Sequence, residues 1–187
     1  MASTIYVDKL DPQSGTALEI GSSGDTITIP SGATITNSGT ANGFGVGKIG
    51  QVVNEITSTV ETFTSGTLTA SGLTASITPS ATSSKIYVLY NAPVLMSGTA
   101  NSYAEMRLFR DTTELKIFTD IGCYNNAAQV STQTFHYEYL DSPSSVSSIT
   151  YSVKYAEHGS STININNSSG SGGAGSSTMT LLEVLAW

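Results

Sequence analysis

Six consecutive residues, GSGGAG from Gly170 to Gly175, match the GxGxxG spacing of dinucleotide-binding turns. That pattern holds a pyrophosphate only where a strand leads in and a helix begins, because the first helical amides grip the phosphate oxygens. Here the β-type STMTLL follows, so a flexible hairpin loop is expected. GVGKIG, Gly45 to Gly50, pairs glycine with Lys48 but has neither a Ser or Thr after the lysine nor the spaced upstream glycine of a P-loop. It reads as a hinge.

The remaining reactive side chains are scattered. His136 and His158 are the only histidines, and neither has a cysteine or a second histidine at metal-ligand spacing. In FHYEY, His136 points away from the side that carries Phe135, Tyr137 and Tyr139, and His158 falls at a turn. Both read as surface or interface groups. Serine is abundant, but it follows turns, and no GxSxG elbow presents a nucleophile. Asp8, Asp11, Asp111 and Asp141 stand at turn positions, and Cys123 reads as a small buried apolar group. NNSS at Asn166 and Asn167 matches a glycosylation acceptor, but a chain without a secretory signal is not expected to meet that machinery. No catalytic residue, metal site or cofactor is expected.

Composition supports this. Only 11% of the 187 residues are charged, and the formal net charge is -7. The seven Lys and Arg residues form no stripe that could displace phosphate counterions, which argues against nucleic acid as a partner. No run of about 18 apolar residues offers a membrane-spanning helix. The opening MASTIYVDKLD lacks the basic start and apolar centre of a secretory signal, and there is a single cysteine, so synthesis in a cytoplasm without disulfides is expected.

The elements that would position any site are strands. KIYVLYNAPV (85–94), YAEMRLFRD (103–111), QTFHYEYLD (133–141), ITYSVKYAEH (149–158) and STMTLLEVLAW (177–187) alternate apolar and polar residues with period two. Weaker strands fit 51–63, 73–78, 114–120 and 162–166, and TPSATSS, RDTT, DSPSSVSS and NNSSGSGGAGSS supply the turns. Eight or nine short strands in the second part predict an all-β fold, a β-sandwich or jelly roll over residues 47–187.

Residues 1–46 differ. They hold a single aromatic before Gly43, Tyr6, and their apolar residues come as Leu18 with Ile20, Ile27 with Ile29, then Ile35 alone. Short strands of this kind cannot build a core, since an isolated hairpin is marginal in water. A thin stalk that shares a seam between chains is one solution. Ile5, Val7 and Leu10 also alternate without a local partner, which suits the addition of a strand to another protein's sheet edge.

The last strand is apolar on both faces, with Met179, Leu181, Leu185 and Trp187 on one and Leu182, Val184 and Ala186 on the other. Either it is a central strand of the sandwich, or one face meets another subunit. The second reading places Met179, Leu181, Leu185 and Trp187 at a subunit contact.

Taken in order, STIYVDKLDPQSGTALEIG, GDTITIPSGATI, GFGVGKIGQVV, LTASITPSATSSKIYVLY, MRLFRD, YLDSPSSVSSITYSVKY and STMTLLEVLAW span nearly the whole chain. Together they resemble a family of small fibre-like virion proteins from tailed phages of aquatic bacteria. The resemblance implies a homotrimer with a stalk of intertwined strands and a jelly-roll knob at the virion surface. Its N-terminus would attach to a major capsid or tail protein, and the family has no catalytic motif to carry over. The short stalk favours a capsid decoration, head fibre or compact tail appendage over a long tail fibre. The alternative is a receptor-binding module for a bacterial surface glycan, with tyrosines to stack on sugar rings and Asn125, Asn126 and Gln129 as hydrogen-bonding partners.

Overall fold

The computed structural model describes residues 10, 18, 20–34, 36, 38, 49–98, 102–121, 129–169 and 173–185. The chain divides into two units, Met1–Phe44 and Gly45–Trp187. The described residues of the second unit are all strand and turn: β1 (Ile49–Thr57), β2 (Glu61–Phe63), β3 (Thr69–Ile77), β4 (Lys85–Gly98), β5 (Tyr103–Arg110), β6 (Thr113–Ile121), β7 (Gln129–Asp141), β8 (Ile149–His158), β9 (Ser161–Ile165), β10 (Asn167–Ser169), β11 (Gly173–Ala174) and β12 (Ser177–Val184). The five strong period-2 segments of the sequence became β4, β5, β7, β8 and β12. The weaker ones became β1 with β2, β3, β6 and β9.

Pairing is nested. β1 pairs with β12, β3 with β8, β4 with β7 and β5 with β6, all antiparallel. Successive pairs fall in alternate sheets, giving the orders β1-β12-β4-β7 and β3-β8-β5-β6. A long hairpin wrapped into two facing sheets in this way is a jelly roll. Between the sheets, alternate residues of β4, β8 and β12 make the core, with Ile86, Val88, Tyr151, Val153, Met179 and Leu181 each at most 1% exposed.

β4 is long enough to have two neighbours on one side. β12 pairs with Lys85 to Asn91, and β9, extended by β2, pairs with Val94 to Gly98. Pro93 sits at the fork. Its carbonyl accepts the Asn166 amide at 2.9 Å on that side, and its missing N–H would point the same way, so no ladder bond is lost there. Gly175 closes the fork, since a Cβ there would come within 2.3 Å of the Pro93 ring. The small ladder of β10 and β11 lies in the Ser- and Gly-rich stretch that the sequence marked only as a loop.

The first unit departs from expectation. None of its described residues forms a strand. The alternation at Leu18/Ile20 and Ile27/Ile29 is real, but a strand needs a neighbour to take its backbone hydrogen bonds, and no described residue supplies one. Tight turns are present instead. Asp25 N–H donates to the Ser22 carbonyl at 3.0 Å, and Ala33 N–H to that of Pro30 at 3.1 Å. Gly24 and Gly32 take φ of 95° and 86° in these turns, where a side chain would be strained.

Candidate interaction surface

β12 lies between β1 and β4 in its sheet, with one face on the core between the two sheets and the other turned away from it. Met179 and Leu181 point inward and are fully buried within a single chain. This corrects the expectation that they meet another subunit: the facing sheet already covers them. Leu185 follows the strand and is half-buried, while Trp187 lies outside the described residues.

The opposite face of the same sheet is where apolar side chains reach solvent. Val52 stands opposite Leu182, Leu182 opposite Tyr87, and Tyr87 opposite Leu140, so one row crosses all four strands. Val52 is 59% exposed and Leu140 48%, with Leu182 and Tyr87 half-buried between them. β1 adds Ile49 and Ile56 on this side, the latter 64% exposed. Apolar side chains collected in one patch signal a contact more than scattered ones do.

Next to the apolar row the face turns polar without becoming charged. Asn54, Thr180, Leu89 and Glu138 form the second row, and Ile56, Thr178, Asn91 and His136 the third. Asn54 Nδ2 donates to Thr180 Oγ1 at 2.9 Å, and the Tyr87 hydroxyl donates to the Glu138 carboxylate. That bond raises the Tyr87 pKa above its ordinary value, with desolvation adding to it. A depression of about 300 Å³ runs between these rows, lined by Leu89, Asn91, His136, Glu138, Thr178 and Thr180. Asn91 Oδ1 is buried there and accepts no hydrogen bond from any described residue.

The two long sides of the sandwich differ. On the β1 and β3 side the sheets are stapled. Glu183, 1% exposed, accepts hydrogen bonds from Ser80 N–H and Oγ, both at 2.6 Å, and from Gln51 Nε2 at 2.8 Å. Gln51 Nε2 also reaches the Thr78 carbonyl at 2.7 Å. Burial alone would raise the Glu183 pKa, but the donors from Ser80 and Gln51 outweigh it and hold the carboxyl at about 2. On the β6 and β7 side Phe118, Tyr137 and Tyr139 are only half-buried. The Phe118 and Tyr137 rings lie 4.3 Å apart at the mouth of a cleft of about 10 Å³, room for hardly more than a water.

Two polar clusters hold the strands in place. Asp141 of β7, expected as a turn cap, is buried and does more: Arg110 Nη1 donates to it at 2.8 Å and 2.9 Å, the Tyr151 hydroxyl at 2.6 Å and Ser142 N–H at 2.8 Å. The network joins the two sheets, and burial, then the bond to Asp141, raises the Tyr151 pKa. On the outer side of the second sheet, Tyr103 stacks on His158 at 4.7 Å, and His158 Nε2 lies 3.1 Å from Glu105 Oε2. Arg107 bridges Glu105 and Glu114. Burial would raise the Glu105 pKa, but Arg107 and His158 overcome it and lower the value.

The other residues that the sequence pattern singled out separate cleanly. Leu10, Leu18, Ile20, Ile27 and Ile29 are exposed, Ile27 by 60%. Ile5, Val7, Ile35, Cys123, Asn125 and Asn126 lie outside the described residues. His136 is exposed, as its place in the alternation indicated. Tyr151 and Tyr155 are fully buried, and the Tyr90 hydroxyl meets that of Tyr155 at 2.7 Å, so these three have no ring face to offer a sugar. The exposed row on the first sheet was missed because it depends on register across four strands. Its signal was present in the apolar Leu182 and Val184 of the last strand.

No protein-family model matches the chain, and no curated protein does. Among solved structures, it is similar to one titled as infectious bursal disease virus Gx strain, at 12% identity and a TM-score of 0.39 over 73% of this chain. The VP2 subviral particle of the same virus aligns at 12% identity and a TM-score of 0.32 over 74%. The chain spans 37% and 38% of the lengths of those two chains.

Proposed function

We propose that the chain is a non-enzymatic structural protein of a virion, a homotrimeric surface appendage of a tailed phage fixed to the particle by its N-terminal residues. The observation that carries the assembly is the exposure of Leu18, Ile20, Ile27 and Ile29 in a unit whose described residues form no strand. Three copies laid along one axis would give these side chains a shared apolar seam and give the backbone its missing neighbours. The resemblance of the ordered sequence phrases to small fibre-like phage proteins supplies the particle, and the jelly roll is the knob such an appendage requires. Residues near Ile5, Val7 and Leu10 attach to a capsid or tail protein.

The test is location. Mass spectrometry of purified phage particles, with labelled antibody imaged on them, is expected to find the chain on the particle surface at the head or the tail. Its absence from intact particles would reject the proposal.

A further inference from the structure

We infer that the outer face of the β1-β12-β4-β7 sheet is a contact between copies of this chain, and that what docks on it is the β6/β7 side of a neighbour rather than the same face. The inference rests on the trimer reading above and goes beyond it in naming the two surfaces.

Charge selects a second copy as the occupant. The chain carries a net -7, so two copies repel over most of their surface. The outer positions of the four paired strands hold one lysine, Lys85, and one carboxylate, Glu138, which cancel. This face is therefore where like molecules can approach without that penalty, and charge depletion around an apolar centre is how contact surfaces are composed. The apolar row from Val52 to Leu140 supplies the centre.

Symmetry selects the other surface. In a closed ring of three, each contact joins two different patches, since a self-complementary patch closes a dimer and stops. A second apolar patch must therefore exist elsewhere on the molecule. The β6/β7 side provides it: half-buried Phe118, Tyr137 and Tyr139 at a sandwich side that no described residue closes, beside two edge strands. The opposite side, closed by Glu183, Ser80 and Gln51, does not. Aromatic side chains on one surface and an uncharged apolar row on the other make a workable pair.

Thiol cross-linking of the full chain tests this. In a Cys123→Ser background, Leu182→Cys marks the face and Tyr139→Cys the open side, with Phe118→Cys as a second marker of that side should the tyrosine variant fail to fold. Treated with a short bismaleimide, the chain carrying both markers is expected to give covalent trimers, while each single variant stays uncross-linked. Covalent dimers from Leu182→Cys alone would overturn the inference by showing face against face. Absence of cross-links in a doubly marked chain that still sediments as a trimer would overturn it and leave the trimer reading intact. Sedimentation of the unmodified chain as a monomer would remove both.

Discussion

Val52 and Leu182 lie directly opposite each other across the β1 and β12 ladder, with their side chains on the face turned away from the core. Three residues earlier on the same strand, Met179 is fully buried. β12 thus gives one face to its own sandwich and turns the other, the face proposed above as a contact, away from it. Leu182→Asp is expected to leave the fold of the single chain within about 0.5 kcal/mol of the parent, as surface substitutions usually do. By weakening the contact it should lower the melting temperature of the knob and make it less dependent on concentration, which calorimetry over a dilution series reads. Met179→Asp, by contrast, should abolish folding.

The stalk makes a separate claim. Ile27→Asp with Ile29→Asp places two charges in each copy where an apolar seam is expected. Light scattering should show a weakened trimer, and the knob should melt as before. A stable trimer in the double variant would show that these isoleucines contribute no seam.

Asp141 supplies a test of how the sheets are joined. Arg110→Ala leaves its buried carboxylate with only the Tyr151 hydroxyl and the Ser142 amide. The loss expected in chemical denaturation is about 2 to 3 kcal/mol, since a buried charge stripped of its partner is costly. Tyr151→Phe, which removes one donor, should cost about 1 kcal/mol.

The pH dependence follows from Glu183. Its folded pKa of about 2 lies below the ordinary 4.5, so its stabilising effect is fully present above pH 4.5 and is lost as pH falls toward 2. The shift corresponds to up to about 3 kcal/mol. Glu183→Gln should be less stable than the parent at pH 7, and the difference should shrink between pH 4.5 and 2. A constant difference across that range would mean that the carboxylate charge contributes nothing.

Much of the knob was legible in the sequence because period-2 alternation directly reports a strand with one buried face. Phe135, Tyr137 and Tyr139 on β7, and Tyr151, Val153 and Tyr155 on β8, announced their inward side without any pairing information. Pairing itself was not legible. Whether Met179 or Leu182 faces outward depends on which side of β12 the second sheet covers, and both residues are apolar. Asp141 is a similar case: the sequence shows an aspartate before a Ser-Pro turn, while its link to Arg110 spans 31 residues and two sheets. In the first unit Ile27 and Ile29, which the pattern left without a local core, are exposed, and alternation could not supply a strand without a neighbour to bond with.

Attachment to the particle has its own test. Removing residues 2–12 is expected to leave soluble trimers that no longer join particles, measured by the protein content of particles assembled with the shortened chain. Normal incorporation would rule out the N-terminal anchor.

The mass of the full-length chain in solution tests the central claim most directly. Sedimentation equilibrium at micromolar concentration is expected to give the mass of three chains, unchanged on dilution through the range where the stalk seam and the knob contact act together. A single species with the mass of one chain would contradict the account.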